Sequence, residues 1–154
     1  MVRWSSEKHM ATPRTILILD DEPERIRAMT ACLSNGALGC DVVTFDNAPD
    51  MIDWLRKHLE DVGLICLDHD LGPNRCRDGN VFDPGTGRDV ADYLASRRPV
   101  CPVLIHTTNS LAAPGMAMVL DDSGGLHSRV VPYNDLEWVS ADWVGEVREA
   151  LGKK

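Results

Sequence analysis

Four apolar residues, Leu64-Ile65-Cys66-Leu67, run straight into Asp68-His69-Asp70-Leu71-Gly72, and this stretch constrains the chain more than any other. An unbroken apolar run of strand length reads as a strand buried on both faces, which is a property of parallel sheets covered by helices. Such a strand cannot carry two carboxylates and an imidazole inside the layers. It therefore ends at Asp68, and Asp-His-Asp sits at its C-terminal tip, where open α/β sheets place their chemistry.

The rest of the chain supplies partners for that strand. Thr15–Leu19 is a second buried run, and it ends in Asp20-Asp21-Glu22-Pro23. Ile26, Met29, Thr30 and Leu33 then recur at helical spacing, and Asn35-Gly36 stops the helix. Cys40–Phe45 reads as another strand, and Met51, Ile52, Leu55 and Leu59 as the next helix. Pro73 to Gly87 has turn chemistry throughout and reads as one long loop. Val90, Tyr93 and Leu94 mark a third helix. Val103-Leu104-Ile105 is a strand tipped by His106-Thr107-Thr108-Asn109-Ser110, a short helix follows around Met116–Leu120, and Leu126–Val131 is an edge strand. Val139, Trp143, Val147 and Leu151 line the last helix, on which Trp138 and Trp143 are expected to pack. Five strands alternating with helices predict a parallel sheet of flavodoxin-like order 2-1-3-4-5, with helices on both faces. Residues 14–152 form one domain on this reading, and residues 1–13 are an expected disordered leader.

That strand order makes strands one, three and four neighbours, so their tips form one pocket. Asp20, Asp21 and Asp68 would crowd there, and crowded carboxylates call for a hard cation such as Mg²⁺ or Mn²⁺. Helix capping is the competing role for Asp20 and Asp21. Asp70 is a fourth candidate ligand, unless only its backbone carbonyl faces the ion. His69 and His106 suit an acid–base pair; the alternatives are a solvent-facing loop residue for His69 and a packed strand end for His106. Thr107, Thr108 and Asn109 can hold phosphate oxygens. Among Arg75, Arg77 and Arg88, the last, beside Gly85-Thr86-Gly87 at a helix start, is the best phosphate-binding candidate.

Composition narrows the partners. A net charge of −8 over 154 residues argues against general DNA binding or attachment to an anionic membrane. No apolar run approaches the ~20 residues of a membrane span. Five cysteines without a Cys-x-x-Cys pair favour a reducing, cytoplasmic setting over a disulfide framework. Cys76, in the long loop, is the expected exposed thiol.

The acidic pair after strand one, Asp68 at the tip of strand three and Thr107 at the tip of strand four resemble the receiver domains of response regulators. The resemblance spans nearly all of residues 14–152. It implies Mg²⁺ on Asp20, Asp21 and Asp68, phosphorylation of Asp68 and phosphoryl contact from Thr107. Receivers keep a Lys just before the Pro that follows strand five, whereas this chain has Val131 before Pro132. Leu67-Asp68-His69-Asp70-Leu71-Gly72 and Ile105-His106-Thr107-Thr108-Asn109 are more similar to an atypical branch, the cyclic-phosphate-processing receiver domains. That likeness implies action on a phosphate-containing small molecule or an RNA end as a metal-dependent phosphoesterase. The alternatives are a divergent receiver phosphorylated at Asp68, whose output would need a protein partner, and a non-catalytic interaction module.

Overall fold

In the computed structural model of the chain, residues 14–35, 39–72, 74–75 and 81–152 are described. The central sheet comprises β1 (Arg14–Leu19), β2 (Cys40–Phe45), β3 (Val62–Leu67), β6 (Val103–His106) and β7 (His127–Val130). All its pairings are parallel, in the order β2-β1-β3-β6-β7. This is the flavodoxin-like 2-1-3-4-5 arrangement read from the sequence. The other two strands, β4 (Asn74–Arg75) and β5 (Val81–Phe82), pair antiparallel inside the stretch read as a plain loop. The leader, Cys76 and Arg77 lie outside the described residues.

Among the described residues the α-helices are α1 (Pro23–Asn35), α2 (Ala48–His58), α3 (Gly87–Ala95), α4 (Ala113–Asp122) and α5 (Val144–Gly152). A π-helical turn, Val139–Trp143, leads into α5. Local chemistry fixes their starts. Asn47 accepts the Asp50 N–H at 2.9 Å and caps α2, and Thr86 and Asp89 form a capping box on α3. No helix among the described residues is long and apolar enough to cross a membrane.

Period-two alternation sends strand side chains to two separate cores. On one face Ile16, Ile18, Leu64, Cys66 and Leu104 pack with Met29, Trp138, Trp143 and Val147. On the other, Leu17, Leu19, Ile65, Leu67, Val103 and Ile105 pack with Met51, Leu55, Val90 and Met116. Every residue of β3 is buried. With both faces filled, β3 has one outlet for polar groups, its C-terminal tip.

Candidate functional site

The tips of β1 and β3 are tied by the main chain. The Asp68 N–H donates to the Leu19 carbonyl at 3.0 Å, and the Asp20 N–H to the Phe45 carbonyl at 3.0 Å. The carboxylates that follow these strands therefore have little freedom. Asp20, Asp21 and Asp68 each offer an oxygen, and these oxygens all lie within 4.8 Å of one another. Each carboxylate is also oriented by a backbone donor. Asp20 Oδ1 accepts the Glu22 N–H at 2.8 Å, Asp68 Oδ1 accepts the His69 N–H at 2.7 Å, and Asp21 Oδ2 accepts the Gly72 N–H. Asp20 Oδ1 organises the turn that leads into α1, and Oδ2 faces His106 and Arg25.

The crowding has an electrostatic consequence. Burial, reinforced by the Asp20 charge, pushes the Asp68 carboxyl up to about 6, against the opposing pull of His106, the His69 N–H and Arg25. Burial also pushes Asp20 up. The hydrogen bond and charge interaction with His106, the Glu22 N–H and Arg25 outweigh it and hold Asp20 below the usual carboxylate range. A donor set of oxygens alone, with one carboxylate that resists ionising, fits a hard divalent cation.

Asp70 lies outside this group. Its side chain is 68% exposed, Oδ1 accepts from His69 Nδ1 at 2.9 Å, and both oxygens accept from Asn109 Nδ2 at 3.1 and 3.3 Å. The His69 hydrogen bond, assisted by Asn109, holds the Asp70 carboxyl low despite some desolvation. A neutral His69 so bonded carries its proton on Nδ1, which leaves Nε2 as an acceptor.

The two imidazoles read from the sequence as an acid–base pair have different settings. His106 has no exposed surface. Its Nε2 donates to Asp20 Oδ2 at 2.9 Å, its ring stacks on Trp138 at 5.9 Å between centroids, and its buried Nδ1 has no hydrogen-bond partner. The reason is register. His106 is the last residue of β6, paired with Val130, and alternation puts it on the same face as Leu104, against the tryptophan core.

The phosphate-holding candidates also separate. Thr107 is buried, and its Oγ1 accepts the Asn109 N–H at 3.0 Å. Asn109 Oδ1 accepts the N–H groups of Leu111 and Ala112, organising the entry to α4. Thr108 is exposed on the rim. Arg88 donates from Nε to Asp92 at 2.9 Å, and its Nη1 lies close to Gly115 on α4.

Two arginines of the site were not singled out in the sequence. Arg25 Nη1 lies 3.4 Å from Asp68 Oδ2 and 3.5 Å from Asp20 Oδ2, and its guanidinium carbon lies 5.8 Å from the Trp138 ring centre. Arg129 Nη2 donates to the Thr107 carbonyl at 2.9 Å. A signal for Arg25 was present. It is the third residue of α1, where the helix dipole disfavours a cation unless an anion is close by.

Comparison with known proteins places the architecture. The phosphorylated cyanobacterial phytochrome response regulator RcpA superposes with a TM-score of 0.69 at 18% identity, over 92% of this chain and 96% of that one. The Mn²⁺-bound form of the response regulator Rcp1 gives 0.67 at 16% identity, over 92% and 97%. The CheX–CheY–BeF₃–Mg complex from Borrelia burgdorferi gives 0.66 at 12% identity, over 92% of both chains. At these identities the likeness is one of fold. No curated protein matches the chain. The family described as the cyclic-phosphate processing receiver domain matches residues 15–123, which include Asp20, Asp21, Asp68, His69, His106 and Asn109. The receiver fold, the acidic cluster at its strand tips and this match together establish that the chain belongs to the cyclic-phosphate processing receiver domain family.

Proposed function

We propose that the chain binds Mg²⁺ or Mn²⁺ through Asp20, Asp21 and Asp68 and opens cyclic phosphate esters of nucleotides or RNA ends. The observation that carries this reading is the placement of His69. Its imidazole follows directly on a carboxylate of the cluster and is oriented through Nδ1 by Asp70. A phosphorylated switch needs no such group, whereas an ester-opening site does. Bound at the carboxylates, the ion supplies Lewis-acid polarisation of a phosphoryl oxygen. His69 Nε2 accepts a proton from the attacking water as its oxygen bonds to phosphorus. The endocyclic P–O bond breaks, and the departing alkoxide takes a proton from solvent. Asp70 and Asn109 hold the His69 ring, and His106 orients Asp20 from behind. On this reading the Thr107 and Thr108 hydroxyls donate to phosphate oxygens, and Arg88 contributes from the start of α3.

Incubation with a 2′,3′-cyclic nucleotide and Mg²⁺ tests the proposal. The expected product is a nucleoside monophosphate, and His69→Ala should lower turnover about 10²–10⁴-fold, the usual contribution of a general base. Absence of turnover across a panel of cyclic phosphates would overturn it.

One observation favours a second reading. Asp68 is a buried carboxylate at the tip of the central strand, beside Asp20 and Asp21, in a fold shared with a regulator known in its phosphorylated form. On this reading Asp68 is the phosphoacceptor, and a protein partner supplies the output. Acetyl phosphate with Mg²⁺ should then add the mass of one phosphoryl group, and Asp68→Asn should abolish it. An unchanged mass in the wild-type chain rejects the switch.

A further inference from the structure

A phosphate ester brought to three carboxylates meets like charge, so the pocket needs a cation of its own as well as any ion it binds. Among the described residues, one arginine brings such a charge into contact with the cluster, beside the buried His106 imidazole on Asp20. Arg25 Nη1 sits between Asp68 Oδ2 and Asp20 Oδ2 at 3.4 and 3.5 Å. The other arginines near the site are engaged elsewhere, Arg129 with the Thr107 carbonyl and Arg88 with Asp92. Val131, before Pro132, is apolar and half-exposed.

Arg25 is built into its place. The buried Trp138 ring lies behind the guanidinium, a cation–π contact that restricts the side chain. The side chain keeps 24% of its surface open. Its Nε and Nη2 have no hydrogen-bond partner among the described residues. Two donors thus remain in a planar fork whose third nitrogen is anchored at the cluster, the arrangement that recognises two phosphate oxygens at once.

We propose that Arg25 is the substrate-facing cation of this site, neutralising Asp20 and Asp68 through Nη1 and binding phosphoryl oxygens through the rest of its fork. The proposal rests on the phosphate-ester reading of the same pocket. It has a consequence of opposite sign for two ligands. Arg25 competes with a divalent ion for the Oδ2 atoms of Asp20 and Asp68, yet it attracts an anion. Its removal therefore strengthens metal binding and weakens phosphate binding, whereas general loosening of the pocket would weaken both.

The test uses the full chain with Arg25→Ala and Arg25→Met, the latter keeping an apolar stem on Trp138 in case the alanine variant does not fold. Tryptophan fluorescence titrated with Mn²⁺ alone reads the metal, and calorimetric titration of inorganic phosphate at saturating Mg²⁺ reads the anion. The expected result is a Mn²⁺ dissociation constant lowered by about 3-fold or more. The phosphate dissociation constant should rise by about 10-fold or more, the usual cost of a lost charge-assisted hydrogen bond. Unchanged phosphate binding in a folded variant overturns the proposal. So does a parallel fall in both affinities, and so does a wild-type chain that binds no phosphate. Failure here differs from failure of the proposed activity. If phosphate binds through Arg25 but no cyclic ester is opened, the Arg25 assignment stands and the activity falls. Turnover that persists in Arg25→Ala with an unchanged KM has the reverse meaning.

Discussion

The two faces of the central sheet are equally dry but have different duties. Toward α2, α3 and α4 the sheet meets an aliphatic and methionine layer, with Met51, Leu55, Val90 and Met116 fully buried. Toward α1 and α5 it meets two fully buried tryptophans, Trp138 and Trp143. The site's ionisable groups lean on this second layer, for His106 stacks on Trp138 and Arg25 lies over the same ring. A flat, rigid, polarisable wall suits that task, because it packs like a hydrophobe and still favours a cation at its face. One face mainly holds the sheet together, and the other also sets the position of charge.

The contrast is most exposed to a pair of truncations. Trp138→Ala should cost about 3–5 kcal/mol and Met51→Ala about 2–4 kcal/mol, both typical of large-to-small core changes. At roughly 2–4 °C per kcal/mol for a domain of this size, both should be plain in thermal melts. Only Trp138→Ala should also shift a Mn²⁺ titration. An equal shift in Met51→Ala would break the distinction between the faces.

A smaller effect sharpens the electrostatic side. Asp68 ionises near 6 in the folded chain against 3.8 for the unperturbed group, so its charge destabilises the metal-free fold. The sign follows from linkage. Asp68 contributes no penalty below about pH 4, and stability is lost as pH rises from about 4 to about 6. Asp68→Asn should therefore raise metal-free stability at pH 8 by about 1–3 kcal/mol, with little gain at pH 4. Asp20 acts oppositely, since its contribution is present above 3.8 and lost as pH falls through its lowered value. For the wild-type chain, Mn²⁺ must displace a proton from Asp68 at low pH, so its apparent affinity should weaken below about pH 6. Melting curves at the two pH values and metal titrations across the range check both statements.

The smallest expected effect concerns the rim. Asn109 organises the start of α4 through Oδ1 and steadies Asp70 through Nδ2. Asn109→Ala should cost about 1 kcal/mol, the usual net worth of the hydrogen bonds lost from the turn before α4, and leave Mn²⁺ binding unchanged. Denaturant melts and the same titration measure both.

What could be read from the sequence divides along a physical line. Local pattern gave the five sheet strands, because β3 is an uninterrupted apolar run and Cys40–Phe45 has its boundaries marked by turn chemistry. Crossover connections then implied a parallel sheet, for which the flavodoxin-like order was chosen and is the one observed, and that order brings Asp20 and Asp21 beside Asp68. Tertiary features were harder. Reading His106 as a tip beyond the strand hid its alternation with Leu104, so its burial at a packed strand end stood only as the alternative to an acid–base role. One more residue of strand would have pointed it inward. Arg25, between Glu24 and Arg27, has the local appearance of a solvated helical turn. Its contact with Asp68 spans 43 positions and depends on how α1 crosses the sheet. The β4–β5 pair is two residues per strand, too short for any periodicity.

The path from β3 to α3 is pinned at both of its ends. Gly72 donates its N–H to Asp21, and Gly87 donates to the His69 carbonyl at 3.0 Å. At Gly87 the packing is so close that an added Cβ would lie 1.9 Å from the Asp68 carbonyl oxygen. The two anchors therefore hold the place where the chain leaves β3 and the place where it enters α3. Any side chain at position 87 would have to displace the main chain of Asp68, and with it a carboxylate of the cluster.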